Sequence, residues 1–202
     1  MSQPPENPSS HNSSVSQLHA EEGEFSAQER ALLLKLAHDS IESALAGRKI
    51  PLDAPTSHLA EPRGAFTTLY FRGELRGCVG YVFPTTSLYR TVAETARASA
   101  FEDSRFYPVT SDEAPELEVS LSVLSSLQPI RPEEVVVGRH GLMVSLGGRR
   151  GLLLPQVPVE YGWDRTTFLE QTCRKAGLPD DAYQKGAVLE AFTAEVFGDK
   201  QP

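Results

Sequence analysis

The chain is short of the residues that most often announce a chemistry. Among its 202 residues are two cysteines, two methionines, one tryptophan and five histidines. Cys78 and Cys173 stand far apart with no C-x-x-C pair, which excludes a disulfide framework and a zinc knuckle. There is no G-x-x-x-x-G-K-[ST] loop, no G-x-G-x-x-G after a strand, no H-E-x-x-H, no G-x-S-x-G and no EF-hand or paired acidic metal motif. No metal and no cofactor are therefore expected. No apolar run approaches the ~18 residues that span a bilayer, and no basic stretch followed by an apolar one marks a secretory leader. The expected setting is the reducing cytoplasm, without membrane contact.

Positive charge is the scarcer sign. Asp and Glu number 27 against 19 Lys and Arg, a formal net charge of −8. A field of that sign weighs against binding nucleic acid through the whole surface and leaves nucleic acid only as a ligand of a local site. The arginines are unevenly spread. Arg72 and Arg76 flank one glycine turn, and Arg139, Arg149 and Arg150 bracket another, which offers a local anion site as the alternative to the commoner outcome, solvated surface arginines. Hydrophobic residues make 40% and charged ones 23%, the balance of a soluble globular chain. The length allows one domain or two small lobes with an ample core.

Residues 1–25 are rich in Ser, Pro, Asn, Gln and His and hold few large apolar side chains. Such a segment buries too little surface to offset its ordering entropy and is expected to be a disordered tail. Order is expected from Ser26-Ala27-Gln28-Glu29, a capping box, followed by Leu32, Leu33, Leu36, Ala37, Ile41, Ala44 and Leu45 at helical spacing and a stop at Gly47. A strand over 65–72, a two-residue turn at Gly73-Glu74 and a return strand over 75–82 read as a hairpin. Pro84-Thr85-Thr86 caps a second helix from Ser87 to about Phe101, with the loop Asp103 to Thr110 after it. Leu117, Val119, Leu121 and Val123 alternate with polar residues, as a half-buried strand requires. Short strands are expected over 135–137, 142–146 and 151–154, with turns at 138–141 and 147–150. Asp164 caps a third helix that buries Phe168, Leu169, Thr172, Cys173 and Ala176 before Gly177, and one last strand runs over 190–197. The pattern is an α+β fold on largely antiparallel sheet.

The segment that invites chemistry is Gly73-Glu74-Leu75-Arg76-Gly77-Cys78-Val79-Gly80. Gly77 and Gly80 leave the backbone beside the sulfur bare, so a ligand or another chain segment can come close. Arg76 would favour the thiolate if its guanidinium lay near the sulfur. Equally, the glycines can serve a bulge or bend while the thiol packs as a small hydrophobe. His140, in the turn Arg139-His140-Gly141, would complete a nucleophile and base pair if the fold brought it to Cys78. Cys173 shares the apolar face of its helix and is expected in the core.

Taken together, these segments resemble the AMMECR-one domain family, protein A of the three-gene AmmeMemoRadiSam system. The matching stretches are Leu75-Arg76-Gly77-Cys78-Val79-Gly80, Asp103-Ser104-Arg105-Phe106, residues 117–124, His140-Gly141-Leu142 and residues 151–156. Trp163-Asp164, residues 171–178 and residues 192–197 complete the match. The resemblance covers 26–199 and leaves tails at 1–25 and 200–202. It implies two interleaved lobes with a cleft lined by the L-R-G-C-V-G segment. It also implies the company of a Memo-like protein of dioxygenase-type fold and a radical S-adenosylmethionine enzyme, and no established activity. The signature contains Cys78, which gives that residue a cleft role to weigh against a structural one.

Three readings of function follow. The chain is a system component that binds a substrate or partner in the cleft, in RNA or protein modification. Alternatively it is a thiol-dependent enzyme, with Cys78 as nucleophile, Arg76 lowering the thiol pKa, His140 moving protons and Arg149 or Arg150 holding an anionic group; Arg76, Gly77, Gly80, Arg105, Arg149 and Arg150 are the candidate binding residues. Or it is a non-catalytic adaptor that recruits partners through its acidic surface and tail.

Overall fold

The computed structural model describes residues 23–83 and 85–200; the expected tail over 1–22 and the last two residues lie outside them. In chain order the helices are α1 (Ala27–Leu45), α2 (Leu88–Phe101), α3 (Gln156–Glu160) and α4 (Arg165–Lys175). The strands are β1 (Ala65–Phe71), β2 (Glu74–Tyr81), β3 (Leu117–Leu124), β4 (Gln128–Pro129), β5 (Gly141–Leu146), β6 (Arg149–Leu153), β7 (Val188–Phe192) and β8 (Ala194–Gly198). They form two four-stranded antiparallel sheets, ordered β2-β1-β3-β8 and β4-β7-β5-β6, which makes the fold α+β.

The first sheet carries α1 and α2 on one face. Ala65, Thr67 and Leu69 of β1 and Leu117, Val119, Leu121 and Val123 of β3 turn toward the helices and are buried. Ser26 and Glu29 form the capping box of α1. Order reaches back to Glu24, because the Phe25 ring is buried, stacked on His58 at 4.7 Å, and Glu24 pairs with Arg63. At its other end α1 closes with Gly47 at φ +65°, Arg48 N–H donating to the Ser43 carbonyl and Gly47 N–H to that of Ala44, the bonding of a Schellman turn. The second sheet packs on α4 through Leu142, Val144, Leu189, Phe168, Leu169 and Cys173.

Several expectations are corrected. The β1–β2 turn is Arg72-Gly73, one residue earlier than Gly73-Glu74: both residues have positive φ (53° and 85°) and Phe71 pairs with Glu74, as a type I′ hairpin demands. Likewise Gly147-Gly148 alone turns β5 into β6, and Arg149 and Arg150 lie within the strand. Ser87 is the N-cap of α2, accepting from Arg90 N–H. Residues 135–137 are not a strand. They follow a 3₁₀ turn over Pro132–Glu134, and the apolar signal there is Val135 burying its side chain from a turn. The final strand is two strands in different sheets, β7 and β8, broken at Thr193.

That break couples the sheets. The chain leaves the first sheet after β3 and re-enters it at β8, and the two passages are stitched side by side. Ser125 N–H donates to the Thr193 carbonyl and Thr193 N–H to Ser125 Oγ, both at 2.9 Å. Among the described residues no helix is long and apolar enough to cross a membrane.

The glycines of the signature have packing reasons. A Cβ on Gly77 would lie 2.1 Å from the Ser99 carbonyl oxygen of α2, and one on Gly80 would lie 2.1 Å from the Phe66 ring. The first obstacle is helix backbone and the second a side chain. Gly77→Ala should therefore cost at least ~3 kcal/mol, lowering the thermal midpoint by roughly 10 °C. Gly80→Ala should cost about 1–2 kcal/mol and be largely rescued by Phe66→Leu, because a side chain can give way where a helix cannot. Thermal denaturation of the three variants checks both statements, and equal losses at the two glycines would contradict them.

Candidate functional site

Residue 76 is the extra residue of a β-bulge: Tyr70 pairs with Leu75 and Leu69 with Gly77, leaving Arg76 without a partner across the ladder. Beyond it Gly77 faces the helices, while Cys78 and Gly80 face the open side of the sheet. Cys78 is half-buried there, opposite Thr68, whose hydroxyl donates to Sγ at 3.3 Å. Thr68 in turn stands beside Ser120, and Phe66 beside Ser122.

As an edge strand, β2 turns backbone groups outward, and side chains meet them. Cys78 N–H donates to Asp103 Oδ2 at 2.9 Å, and Arg105 Nη2 donates to the Cys78 carbonyl at 3.3 Å while also bonding Asp103. Asp103, only 7% exposed, and Arg105 thus stand where a neighbouring strand would put its carbonyl and amide. The Arg105 guanidinium, with help from Cys78 N–H, holds the Asp103 carboxyl well below the usual carboxylate range. One residue on, the Ser99 hydroxyl accepts from Val79 N–H and donates to the Thr67 carbonyl, so α2 is bonded into the β1–β2 ladder itself.

The charged groups expected to activate the thiol are engaged elsewhere. Arg76 makes a two-pronged pair with Glu113, Nε to Oε1 and Nη2 to Oε2 at 3.0 Å each, and Nη1 donates to the Tyr107 carbonyl at 2.8 Å. It anchors the 103–113 loop, and the guanidinium that reaches Cys78 is that of Arg105. His140 leads into β5 in the other sheet. Its Nδ1 accepts from Val136 N–H at 3.1 Å, and burial together with Arg139 lowers its pKa. It lines a cavity of about 210 Å³ with Ser126, Gln128 and Phe192, and no hydrogen bond among the described residues joins it to Cys78. Arg149 caps α4 by donating to the Gly177 carbonyl at 2.8 Å. Arg150 lies over the Phe83 ring at 5.4 Å, tying the β5–β6 hairpin to the segment after β2. The cavity between the sheets, about 100 Å³, meets Val82, Leu124, Leu152 and Phe192 rather than Cys78.

Sequence reasoning passed over Asp103, Ser99 and Thr68. Asp103 lay within a matching stretch, yet a carboxylate in Asp-Ser-Arg reads as an ordinary turn. Ser99 carried a usable signal, a hydroxyl on the alanine-lined face of α2.

A family model matches residues 34–197, that of AMMECR1. The chain belongs to the AMMECR1 family. Protein Mbar_A1807 of Methanosarcina barkeri is 40% identical over 180 residues, covering 84% of this chain and 89% of that one. Protein MK0488 of Methanopyrus kandleri is 42% identical over 194 residues, covering 90% of each. The crystal structure of the uncharacterized protein PH0010 from Pyrococcus horikoshii superposes with a TM-score of 0.69 at 38% identity, over 88% of this chain and 95% of that one. The site in this AMMECR1 protein is therefore read from its own geometry.

Two measurements test that geometry. Folding lowers the Glu113 pKa to about 2 from an ordinary 4.5, chiefly through the hydrogen bonds from Arg76. A depressed carboxylate pKa means the contribution is whole above the unfolded value and is lost as pH falls through the folded one. Arg76→Ala should cost on the order of 2 kcal/mol at pH 7 and should flatten the acid-induced loss of urea resistance between pH ~4.5 and ~2. A variant as acid-sensitive as the parent in that window would contradict the pairing. Second, Cys173 is fully buried and burial raises its pKa, which lowers its reactivity. Iodoacetamide should label native Cys78 at least ~10-fold faster than Cys173, and the reverse order, read by peptide mass, would refute the placement.

Proposed function

We propose that the chain is a binding module whose open sheet face, centred on Cys78, docks a protein of the three-component system that its family resemblance implies. The carrying observation is the composition of that face. Thr68, Cys78, Ser120 and Ser122 lie half-exposed on the side opposite α1 and α2, with the half-buried Phe66 and the exposed Val196 on either side of Ser122. An aromatic ring and an exposed valine among uncharged polar groups match the centre of a protein interface, where charged residues are depleted. The groups that would make the thiol a nucleophile are committed to structure: Arg76 to Glu113, Arg105 to Asp103, His140 to the other sheet. The partners that fit are the Memo-like protein and the radical S-adenosylmethionine enzyme, with this chain presenting or positioning an RNA or protein substrate.

A thiol-dependent reaction is the second reading, supported by the Thr68 hydroxyl on Sγ and by the Arg105 cation at the Cys78 carbonyl. The two readings separate on purified components. In the docking reading Cys78→Ser changes affinity for the Memo-like protein less than about threefold, and Ser120→Arg lowers it at least about tenfold by placing a charge at the centre of the face. Both variants must keep the parent's thermal midpoint. Abolished turnover in Cys78→Ser with binding intact would transfer the function to the thiol, since a hydroxyl is the weaker nucleophile near neutral pH.

A further inference from the structure

A cavity of about 590 Å³ lies on the helix side of the first sheet, away from Cys78. That is within the range of small-molecule sites, ~300–1,000 Å³. The end of α1 and the segment after it form one wall, α2 the other, and Tyr81 of β2 joins them. Ile50 and Leu52 supply apolar lining, and the Tyr81 ring is 39% exposed.

Its charged residues depart from the habit of this acidic chain. Most cations elsewhere have a carboxylate: Arg30 has Glu195, Arg63 has Glu24 and Glu61, Arg72 has Glu116, Arg174 has Asp180. In the cavity Arg97 follows suit with Glu102 at 3.5 Å. Arg48 and Lys49 do not. Neither side chain has a carboxylate or hydrogen-bond partner among the described residues, although both line the cavity. Both are exposed at its mouth, and it is their backbone that is held in place. The turn at Gly47 fixes the chain on one side, and Ile50 and Leu52 pack on the core on the other. Glu94 of α2 is half-buried in the same cavity, also without a hydrogen-bond partner among the described residues. Two free cations, an apolar floor and a free acceptor define complementary chemistry: an anionic group on a flat body that carries an N–H donor.

We propose that this groove binds a small anionic ligand of that kind, its anionic group between Arg48 and Lys49, its body on Ile50, Leu52 and Tyr81, and its N–H on Glu94. A purine mononucleotide and an aromatic carboxylate share the chemistry, so adenosine 5′-monophosphate and indole-3-acetate are the probes, with adenosine and inorganic phosphate as controls. Calorimetry on the full chain should show saturable binding of at least one probe. Arg48→Ala/Lys49→Ala should weaken it at least about tenfold, as loss of charge-assisted contacts predicts, and Glu94→Gln should weaken it less. Binding of the nucleotide alone assigns a phosphate source, and of indole-3-acetate alone a carboxylate source. In the parent, the methyl NMR signals of Ile50 and Leu52 should shift on titration, a readout that needs no variant. No saturable binding of either probe at millimolar concentration overturns the assignment, as do unchanged affinity in the double variant, shifts confined to other methyls, or inorganic phosphate binding as tightly as both probes.

Discussion

The approach of α2 to β2 at Gly77 is the contact on which the rest of the first sheet depends. The Ser99 carbonyl occupies the space a Cβ would need at Gly77, and the Ser99 hydroxyl serves Val79 N–H and the Thr67 carbonyl. A helix can come this close only where both surfaces are small, and α2 offers Ala96, Ser99 and Ala100 on its buried side. The consequence runs forward along the chain. With Ser99 pinned to the ladder, α2 ends two residues later, and Asp103 then stands level with the outward amide of Cys78. A side chain at 77, or a larger one at 99, would move the clamp away from the edge it caps.

Capping that edge explains why the arginines of this region are structural. An edge strand with unmet amides invites pairing with another chain, and Asp103 with Arg105 meets both the amide and the carbonyl of Cys78. Arg76, turned out of the ladder by the bulge, is free to seize Glu113 and the Tyr107 carbonyl, which fixes the loop that carries the clamp. Pairs this well made lower the acids' pKa values, so they persist over the whole physiological pH range.

Much of the fold was legible because its signals are local. The Ser26–Glu29 box, the alternation from Leu117 to Val123 and the Asp164 cap each depend on neighbours within a few residues. The site was less legible because its logic is long-range. Arg76 looked like an activator of Cys78 by proximity in sequence, and only the bulge, set by pairing with β1, turns it to Glu113. The arginines at 149 and 150 looked like an anion site by clustering, yet strand alternation sends one to the end of α4 and the other over Phe83. The split of the last strand at Thr193 depends on Ser125, far away in sequence, and the segment from Val188 to Phe197 contains no Gly or Pro to hint at it. Arg48-Lys49, by contrast, drew no notice as a plain dipeptide after a helix, and its meaning rests on both side chains lining a cavity with no ion-pair partner among the described residues.

Strand β2 also explains how one small sheet can keep two sites apart. Successive residues of a strand point to opposite faces, so Cys78 and Gly80 belong to the open face while Gly77, Val79 and Tyr81 belong to the helix side. The proposed docking face and the proposed ligand groove therefore share a backbone and no side chain. A ligand against Tyr81 could reach Cys78 only through the strand or through α2, whose Ser99 bridges the ladder one residue from Cys78. Such coupling needs two states of the α2–β2 contact. The close fit at Gly77 leaves that contact little room for a second one, so the two surfaces are built to act independently.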